Sequence, residues 1–205
     1  MKGPYAVHFD ASACSGCKAC QAACKDHNDL SEGILWRRVY EVSGGGFRKD
    51  GAAWRQDVFA WSLSLSCNHC EKPVCAEVCP TGAVRRREDG VVLLDSGKCM
   101  GCRYCEWACP YGAPRFDEAR GVMTKCTLCA DRLEDGLAPS CVAACPMRAL
   151  DFGSLEEMKE RYPAPTGFPL PDPGLTEPCF RMTPHPAAAR SEWEGEIANV
   201  EEVER

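Results

Sequence analysis

The chemistry of this chain must reside in its cysteines, which number 17 in 205 residues, several-fold above ordinary globular usage. With Cys179 set aside, the other sixteen form four groups of four. The first is Cys14-x2-Cys17-x2-Cys20-x3-Cys24, and the second is Cys67-x2-Cys70-x4-Cys75-x3-Cys79-Pro80. The third is Cys99-x2-Cys102-x2-Cys105-x3-Cys109-Pro110, and the fourth is Cys126-x2-Cys129-x11-Cys141-x3-Cys145-Pro146. Three chemistries are open to thiols grouped in this way: disulfide cross-linking, zinc binding and the holding of iron–sulfur clusters.

The spacing separates them. A disulfide scaffold calls for an even count in a secreted chain; here the count is odd and the opening MKGPYAVHFD lacks the charged-then-apolar pattern of a secretory signal. Zinc prefers two ligand pairs held apart by a loop, a layout found only in the fourth group. Three cysteines at successive x2 spacing followed by x3-Cys-Pro is the bacterial ferredoxin pattern, in which three thiolates wrap one cubane and the fourth reaches the neighbouring cluster. Four variants of it in one chain predict four [4Fe–4S] clusters. A self-contained enzyme binding substrate at an open iron would need a group with three ligands, and all four groups have four. A Gly-rich dinucleotide loop and a Gly-x-Ser-x-Gly elbow are also missing from the sequence. The reading is therefore an electron-transfer protein, not catalytic on its own, with no catalytic acid, base or nucleophile.

Thiolates every third residue curl the backbone around a cubane and aim N–H groups at its sulfides. Proline after the last Cys lacks an N–H and fixes φ, which suits a chain leaving the cluster sharply. Four clusters would carry the formal charge from −6 to about −14. Lys18, Lys98, Arg103, Lys125 and Arg132 stand beside the ligands as candidate countercharges, each equally readable as a surface cation.

The elements around the groups suggest how they pair. Between Cys79 and Cys99, Ala83 to Arg86 and Val91 to Asp95 read as strands around a Glu-Asp-Gly turn. That is the centre of a two-cluster ferredoxin, so the second and third groups form an inner module, residues 67–110. The first and fourth groups are left for each other. A strand from Tyr5 to Asp10 leads in and one from Ala149 to Gly153 leads out, framing an outer module of residues 1–24 plus 111–155 that encloses the inner one. Crossed ligation then assigns Cys67, Cys70, Cys75 and Cys109 to one cluster and Cys99, Cys102, Cys105 and Cys79 to the next. Likewise Cys14, Cys17, Cys20 and Cys145 hold a third, and Cys126, Cys129, Cys141 and Cys24 the fourth. The pairing rests on spacing and partly on the resemblance given below.

Residues 25–66 form a β insertion. Alternation over Trp36 to Val42 and Val58 to Leu65 reads as two strands joined through Gly44-Gly45-Gly46 and a polar loop. Phe59 and Trp61 read as core, and Trp36, Phe47 and Trp54 as exposed partner anchors. Ser154-Leu155-Glu156-Glu157 is a capping box starting a helix to about Arg161. Residues 163–186 hold eight prolines and little periodicity. Residues 156–205 are accordingly expected to be a short helix and an extended tail wrapping a partner. Cys179 reads as an ordinary thiol. His8, His27, His69 and His185 read as structural or surface residues, with His69 able to tune a cluster by hydrogen bonding. The fold class is α+β, two nested ferredoxin-like modules with a β insertion and a Pro-rich tail. Apolar runs fall far short of a spanning helix. The negative charge excludes a nucleic-acid binder, since Arg85-Arg86-Arg87 is the only basic cluster.

The four groups, the x4 and x11 variations and the strings CNHCEKPVC, CMGCRYCEWACPYGAPRF and CPMRALDFG resemble the iron–sulfur subunits of the dimethyl sulfoxide reductase family, particularly its membrane-bound type. The resemblance covers residues 5 to about 155 closely. Similar subunits serve polysulfide, thiosulfate and tetrathionate reductases and formate dehydrogenases. It implies a relay between an integral-membrane quinol-oxidising anchor and a catalytic subunit carrying molybdopterin guanine dinucleotide with Mo or W. Some relatives replace the second cysteine of the third group and hold a [3Fe–4S] cluster; Cys102 here implies four cubanes. The first group ends Cys24-Lys25 rather than Cys-Pro, a departure common in the family. Formate dehydrogenase relatives often carry a C-terminal membrane helix, and lacking one favours the reductase type. Clusters are assembled in reducing cytoplasm, so the implied location is peripheral on the cytoplasmic membrane. Its outer face is expected, reached by co-export with a twin-arginine-signal partner, with the cytoplasmic face as the alternative.

Overall fold

The computed structural model describes residues 3–162, 169–189 and 195–204. The chain opens on β1 (Tyr5–Asp10) and passes through the first cysteine group into α1 (Ala19–His27). Then come β2 (Arg38–Gly44), a hairpin of β3 (Phe47–Asp50) and β4 (Ala53–Gln56), and β5 (Phe59–Leu65). The second and third groups enclose α2 (Val74–Glu77), the hairpin of β6 (Val84–Arg86) and β7 (Val92–Leu94), and α3 (Tyr104–Ala108). A hairpin of β8 (Arg115–Asp117) and β9 (Val122–Thr124) precedes the fourth group with α4 (Ala130–Glu134) and α5 (Ser140–Ala143). The chain continues through β10 (Leu150–Ser154), α6 (Leu155–Arg161), β11 (Phe180–Thr183), β12 (Glu196–Ile197) and α7 (Val200–Val203).

Two three-stranded sheets carry the core. In the first, β1 lies between β10, antiparallel, and β11, parallel. In the second, β2 lies between β12 and β5, pairing with β5 from Arg38↔Leu65 to Gly44↔Phe59. Phe9, Val39, Val42, Trp61, Leu63, Leu65, Leu150 and Phe180 form one buried cluster across both sheets. β5 alternates Trp61, Leu63 and Leu65 with Ser62 and Ser64, continued by Ser66, and both sets are buried. The apolar face joins the core, and the serine face lies under the cysteine loops. The cysteine-bearing helices pack in two pairs, α1 on α5 and α2 on α3.

Strand positions for β1, β6, β7 and β10 match the expectation, as does the capping box, in which Ser154 Oγ accepts from Glu157 N at 3.2 Å and Glu157 Oε2 accepts from Ser154 N at 3.0 Å. Three expectations are corrected. The polar loop is the β3–β4 hairpin, turning at Gly51 with φ +61°; all of its strand residues are exposed, so no apolar alternation marks it. Trp36 is half-buried and donates from Nε1 to Thr124 Oγ1 at 3.1 Å, whereas Phe47 and Trp54 are exposed at 69% and 67%. The described parts of the tail, expected over a partner, lie over this chain's own body; residues 163–168 and 190–194 are outside the described residues.

The tail contacts explain its course. Cys179 O accepts from Val7 N at 3.2 Å, Cys179 N donates to Asn68 O at 3.0 Å, and Glu71 N donates to Glu177 O at 2.8 Å. The segment thus joins the edge of β1 to the second cysteine loop, satisfying backbone groups that a free edge would leave bare. Glu202 accepts from Lys18 at 2.5 Å, and Glu204 pairs with Arg38 at 3.2 Å and Arg115 at 3.0 Å while accepting from Tyr40 OH at 2.8 Å. Burial opposes ionisation of Glu204, but Tyr40, Arg115 and Arg38 outweigh it and hold its carboxyl below the ordinary 4.5.

Cys179, 3% exposed among Ala6, Leu155 and Met158, is a packing residue. Cys179→Ala is expected to cost roughly 1 kcal/mol of stability with iron per chain unchanged, read by thermal unfolding and elemental analysis. Glu204→Gln is expected to speed amide exchange over residues 200–203 at neutral pH. Because a depressed carboxyl contributes fully above its unfolded pKa and loses that contribution as pH falls through its lower folded pKa, variant and parent should begin to converge as pH drops below 4.5.

Candidate iron–sulfur sites

In all four groups the residue before the second cysteine is left-handed: Gly16 at φ +68°, His69 at +43°, Gly101 at +71° and Leu128 at +58°. This turn directs backbone N–H groups toward thiols. Gly16 N donates to Cys14 Sγ at 3.5 Å and Leu128 N to Cys126 Sγ at 3.3 Å. Elsewhere Met123 N donates to Cys99 Sγ at 3.3 Å and Ala113 N to Cys109 Sγ at 3.5 Å. Glycine is needed twice for space as well: a Cβ would stand 2.6 Å from Ser62 Oγ at Gly16 and 2.5 Å from Gly121 O at Gly101.

The x3 spacing is helical. Cys20 and Cys24 lie one turn apart on α1 and are both buried. Cys75, Cys105 and Cys141 occupy α2, α3 and α5, whose chains then run to Cys79, Cys109 and Cys145.

The thiols gather as sets drawn from two groups each. Cys14, Cys17, Cys20 and Cys145 line one cavity with Phe9, Lys18 and Leu150. Cys67, Cys70, Cys75 and Cys109 line another with Asn68, Tyr111 and Lys125. Burial, then the charges of Cys99, Cys79 and Cys102, push Cys105 up to about 11. Burial with Cys141 and Cys129 nearby pushes Cys24 up to about 12, and Cys126 is raised by burial and by Cys24, Cys67 and Cys141 among others. Cys79 departs from this trend. Burial is the largest single influence and raises it, but hydrogen bonds from Val84, Thr81 and Ala83 together prevail and lower it.

Thiols held neutral by burial become stable anions only beside a cation, and ligation to iron supplies that charge. Among the described residues no group of three or more His, Cys, Asp or Glu is arranged to hold a single metal ion, whereas four thiols around a cavity suit a multi-atom core. Buried donors without protein partners point the same way: Arg37 Nε, Asn68 Nδ2 and His69 Nε2. Val92 N donates to His69 Nδ1 at 3.0 Å, which leaves the proton on Nε2. Burial, then Lys125, hold that imidazole neutral. These residues fit a [4Fe–4S] core, whose sulfides accept such hydrogen bonds.

Of the five candidate countercharges, four are engaged elsewhere. Lys18 pairs with Glu41 at 2.8 Å and with Glu202, Lys98 stands 3.8 Å from Asp95, and Arg103 pairs with Glu106 at 2.6 Å. Arg132 donates to Ala138 O at 2.8 Å. Lys125 is buried and bonds only carbonyls, those of Val92 and Cys126. Spacing gave no hint of Arg37, buried in the segment linking α1 to β2. The signal available was the serine row of SLSLS, polar residues placed where a strand buries both faces. His8, His27 and His185 serve in contacts with Thr183, Asp131 and Trp61.

Fold and thiol arrangement together define a ferredoxin-type iron–sulfur protein. The 4Fe-4S dicluster domain matches the chain over residues 10–83 and 58–155. Over 99% of its length the chain is 46% identical to the whole of the B subunit of anaerobic dimethyl sulfoxide reductase of Escherichia coli. It is 43% identical over 97% of its length to 98% of the corresponding subunit of Haemophilus influenzae. The thiosulfate reductase electron transfer subunit of Salmonella typhi is 41% identical over 77% of this chain and 79% of that one. The protein belongs to the family of dimethyl sulfoxide reductase iron–sulfur subunits.

Gly101→Ala places a Cβ against backbone at a left-handed φ, so it is expected to lose about 4 iron per chain, the content of one [4Fe–4S] cluster. Gly33→Ala, also at positive φ but with nothing within 4 Å of the added Cβ, should keep them all; elemental analysis and electron paramagnetic resonance (EPR) of the reduced proteins distinguish the two.

Proposed function

We propose that this chain is the electron-transfer subunit of a dimethyl sulfoxide reductase-type complex, relaying electrons through four [4Fe–4S] clusters. The carrying observation is the gathering of Cys14, Cys17 and Cys20 with Cys145, and of Cys67, Cys70 and Cys75 with Cys109. Crossed ligation of two nested modules requires these sets, and the packing of α1 on α5 and of α2 on α3 supports it. The ligands are Cys14, Cys17, Cys20 and Cys145; Cys126, Cys129, Cys141 and Cys24; Cys67, Cys70, Cys75 and Cys109; and Cys99, Cys102, Cys105 and Cys79. A bound [4Fe–4S] cluster supplies one-electron storage.

The sets form a continuous path in the order given. Cys20 and Cys24 share α1, Cys67 and Cys126 are close enough to raise the latter's pKa, and α3 leads from Cys105 to Cys109. Both ends reach the surface: Cys17 is exposed beside Met147, and Met100, Tyr104 and Trp107 are exposed around the other end. Partners at those ends would be a molybdopterin catalytic subunit and an integral-membrane quinol-oxidising anchor. No helix among the described residues is long and apolar enough to cross a membrane, which agrees with peripheral attachment, and co-export with a twin-arginine-signal partner would place it on the outer face. Full-length similarity to the dimethyl sulfoxide reductase subunit, against 77% coverage for the thiosulfate reductase subunit, favours the former substrate class.

The complex, purified anaerobically from its native host in mild detergent, is expected to contain about 16 iron per copy of this chain and about one Mo or W. Zinc in place of iron would overturn the reading; iron without Mo or W would keep the relay and change the partner.

A further inference from the structure

Arg37 is 2% exposed. Its Nη1 donates to Ser64 Oγ at 3.0 Å and its Nη2 to Ser66 Oγ at 2.8 Å, and Nε has no protein partner. Ser64 Oγ in turn lies 3.4 Å from Cys20 Sγ. Cys24 lies one helical turn from Cys20 on α1. No carboxylate is paired with the guanidinium among the described residues. The charged groups that act on it most strongly are the thiols of Cys141, Cys20, Cys126 and Cys24. These belong to both sets, Cys20 to one and Cys24, Cys126 and Cys141 to the other.

A fully buried guanidinium lacking a carboxylate is strongly disfavoured unless other anions surround it. The anions available are two cysteine-ligated clusters, each carrying net charge of about −2 when oxidised and about −3 when reduced. A fixed positive charge favours the more negative member of each couple.

Resting on the cluster reading above, we propose that Arg37 is the shared countercharge of the Cys14/Cys17/Cys20/Cys145 and Cys126/Cys129/Cys141/Cys24 clusters and raises both reduction potentials together. A shared cation keeps the two potentials near one another, so an electron passes between them without a large uphill step. Lys125 has the corresponding position nearer Cys75, Cys109 and Cys126. Cys99, Cys102, Cys105 and Cys79 are not among the thiols that act most strongly on Arg37.

The test is an EPR-monitored redox titration of the intact complex carrying Arg37→Met, Arg37→Lys or Ser66→Ala. Arg37→Met is expected to lower the reduced-to-oxidised ratio at fixed potential at least tenfold for two of the four clusters, about 59 mV for one electron, leaving the Cys99-containing cluster in place. Arg37→Lys should stay near the parent, and Ser66→Ala, which removes a hydrogen bond but no charge, should not move any potential. Unmoved potentials in Arg37→Met, equal movement of all four, or equal shifts in Arg37→Met and Arg37→Lys would overturn the proposal. If Arg37→Met fails to assemble, Arg37→Gln replaces it with the same expected outcomes. Absence of clusters from the parent complex would instead remove the reading on which the proposal rests.

Discussion

A four-residue step between thiols on a helix constrains everything else in this molecule. Four residues advance an α-helix by about 6 Å and return to the same face. Cys20 and Cys24 are held this way on α1, both buried and one turn apart. When consecutive thiols on one helix serve different clusters, the helix becomes a rigid spacer between them. Short distances between redox centres then follow from backbone geometry, with no dependence on long side chains. The sheets serve this arrangement: β1 leads into the first cysteine group, β10 follows the fourth, and Ser64 of β5 lies against Cys20 of α1.

The second constraint is electrostatic. Cluster ligation concentrates negative charge in an already acidic chain, while the thiols themselves sit where burial resists ionisation. Backbone N–H groups from left-handed loops, the neutral imidazole of His69 and two buried cations oppose that cost. The distinction between cations depends on depth. Lys18, Arg103 and Lys98 stand beside ligands in sequence but find carboxylates at the surface. Arg37 and Lys125 find only neutral oxygens. A charge so placed is insulated from solvent screening and acts on the nearest sulfur sets.

The tail shows how a segment without a core of its own can still be structural. Its residues around Thr176 and Cys179 lend backbone groups to β1 and to the second cysteine loop, and Thr176 Oγ1 lies 3.0 Å from Tyr111 OH. Glu202 and Glu204 then fasten the last helix to the first cysteine loop and to β2. Proline keeps the stretch around Thr176 and Cys179 from forming a long α-helix, so its order depends on edges presented by others.

Cysteine spacing alone determined the class of chemistry, because thiols at x2 and x3 intervals match the curvature of a loop around a cubane followed by one helical turn. Alternation likewise fixed β1, β6, β7 and β10, since a strand buried on a core must repeat every second residue. The β3–β4 hairpin escaped because both its faces meet solvent, and Trp36 looked like an anchor because aromatic type does not reveal depth. Only the tertiary structure decided which cation is buried, where the tail lies and which donors lack partners. Those outcomes depend on elements far apart in sequence. Arg37 becomes a buried charge only because β5, some thirty residues later, places Ser64 and Ser66 against it, and no local pattern records that encounter.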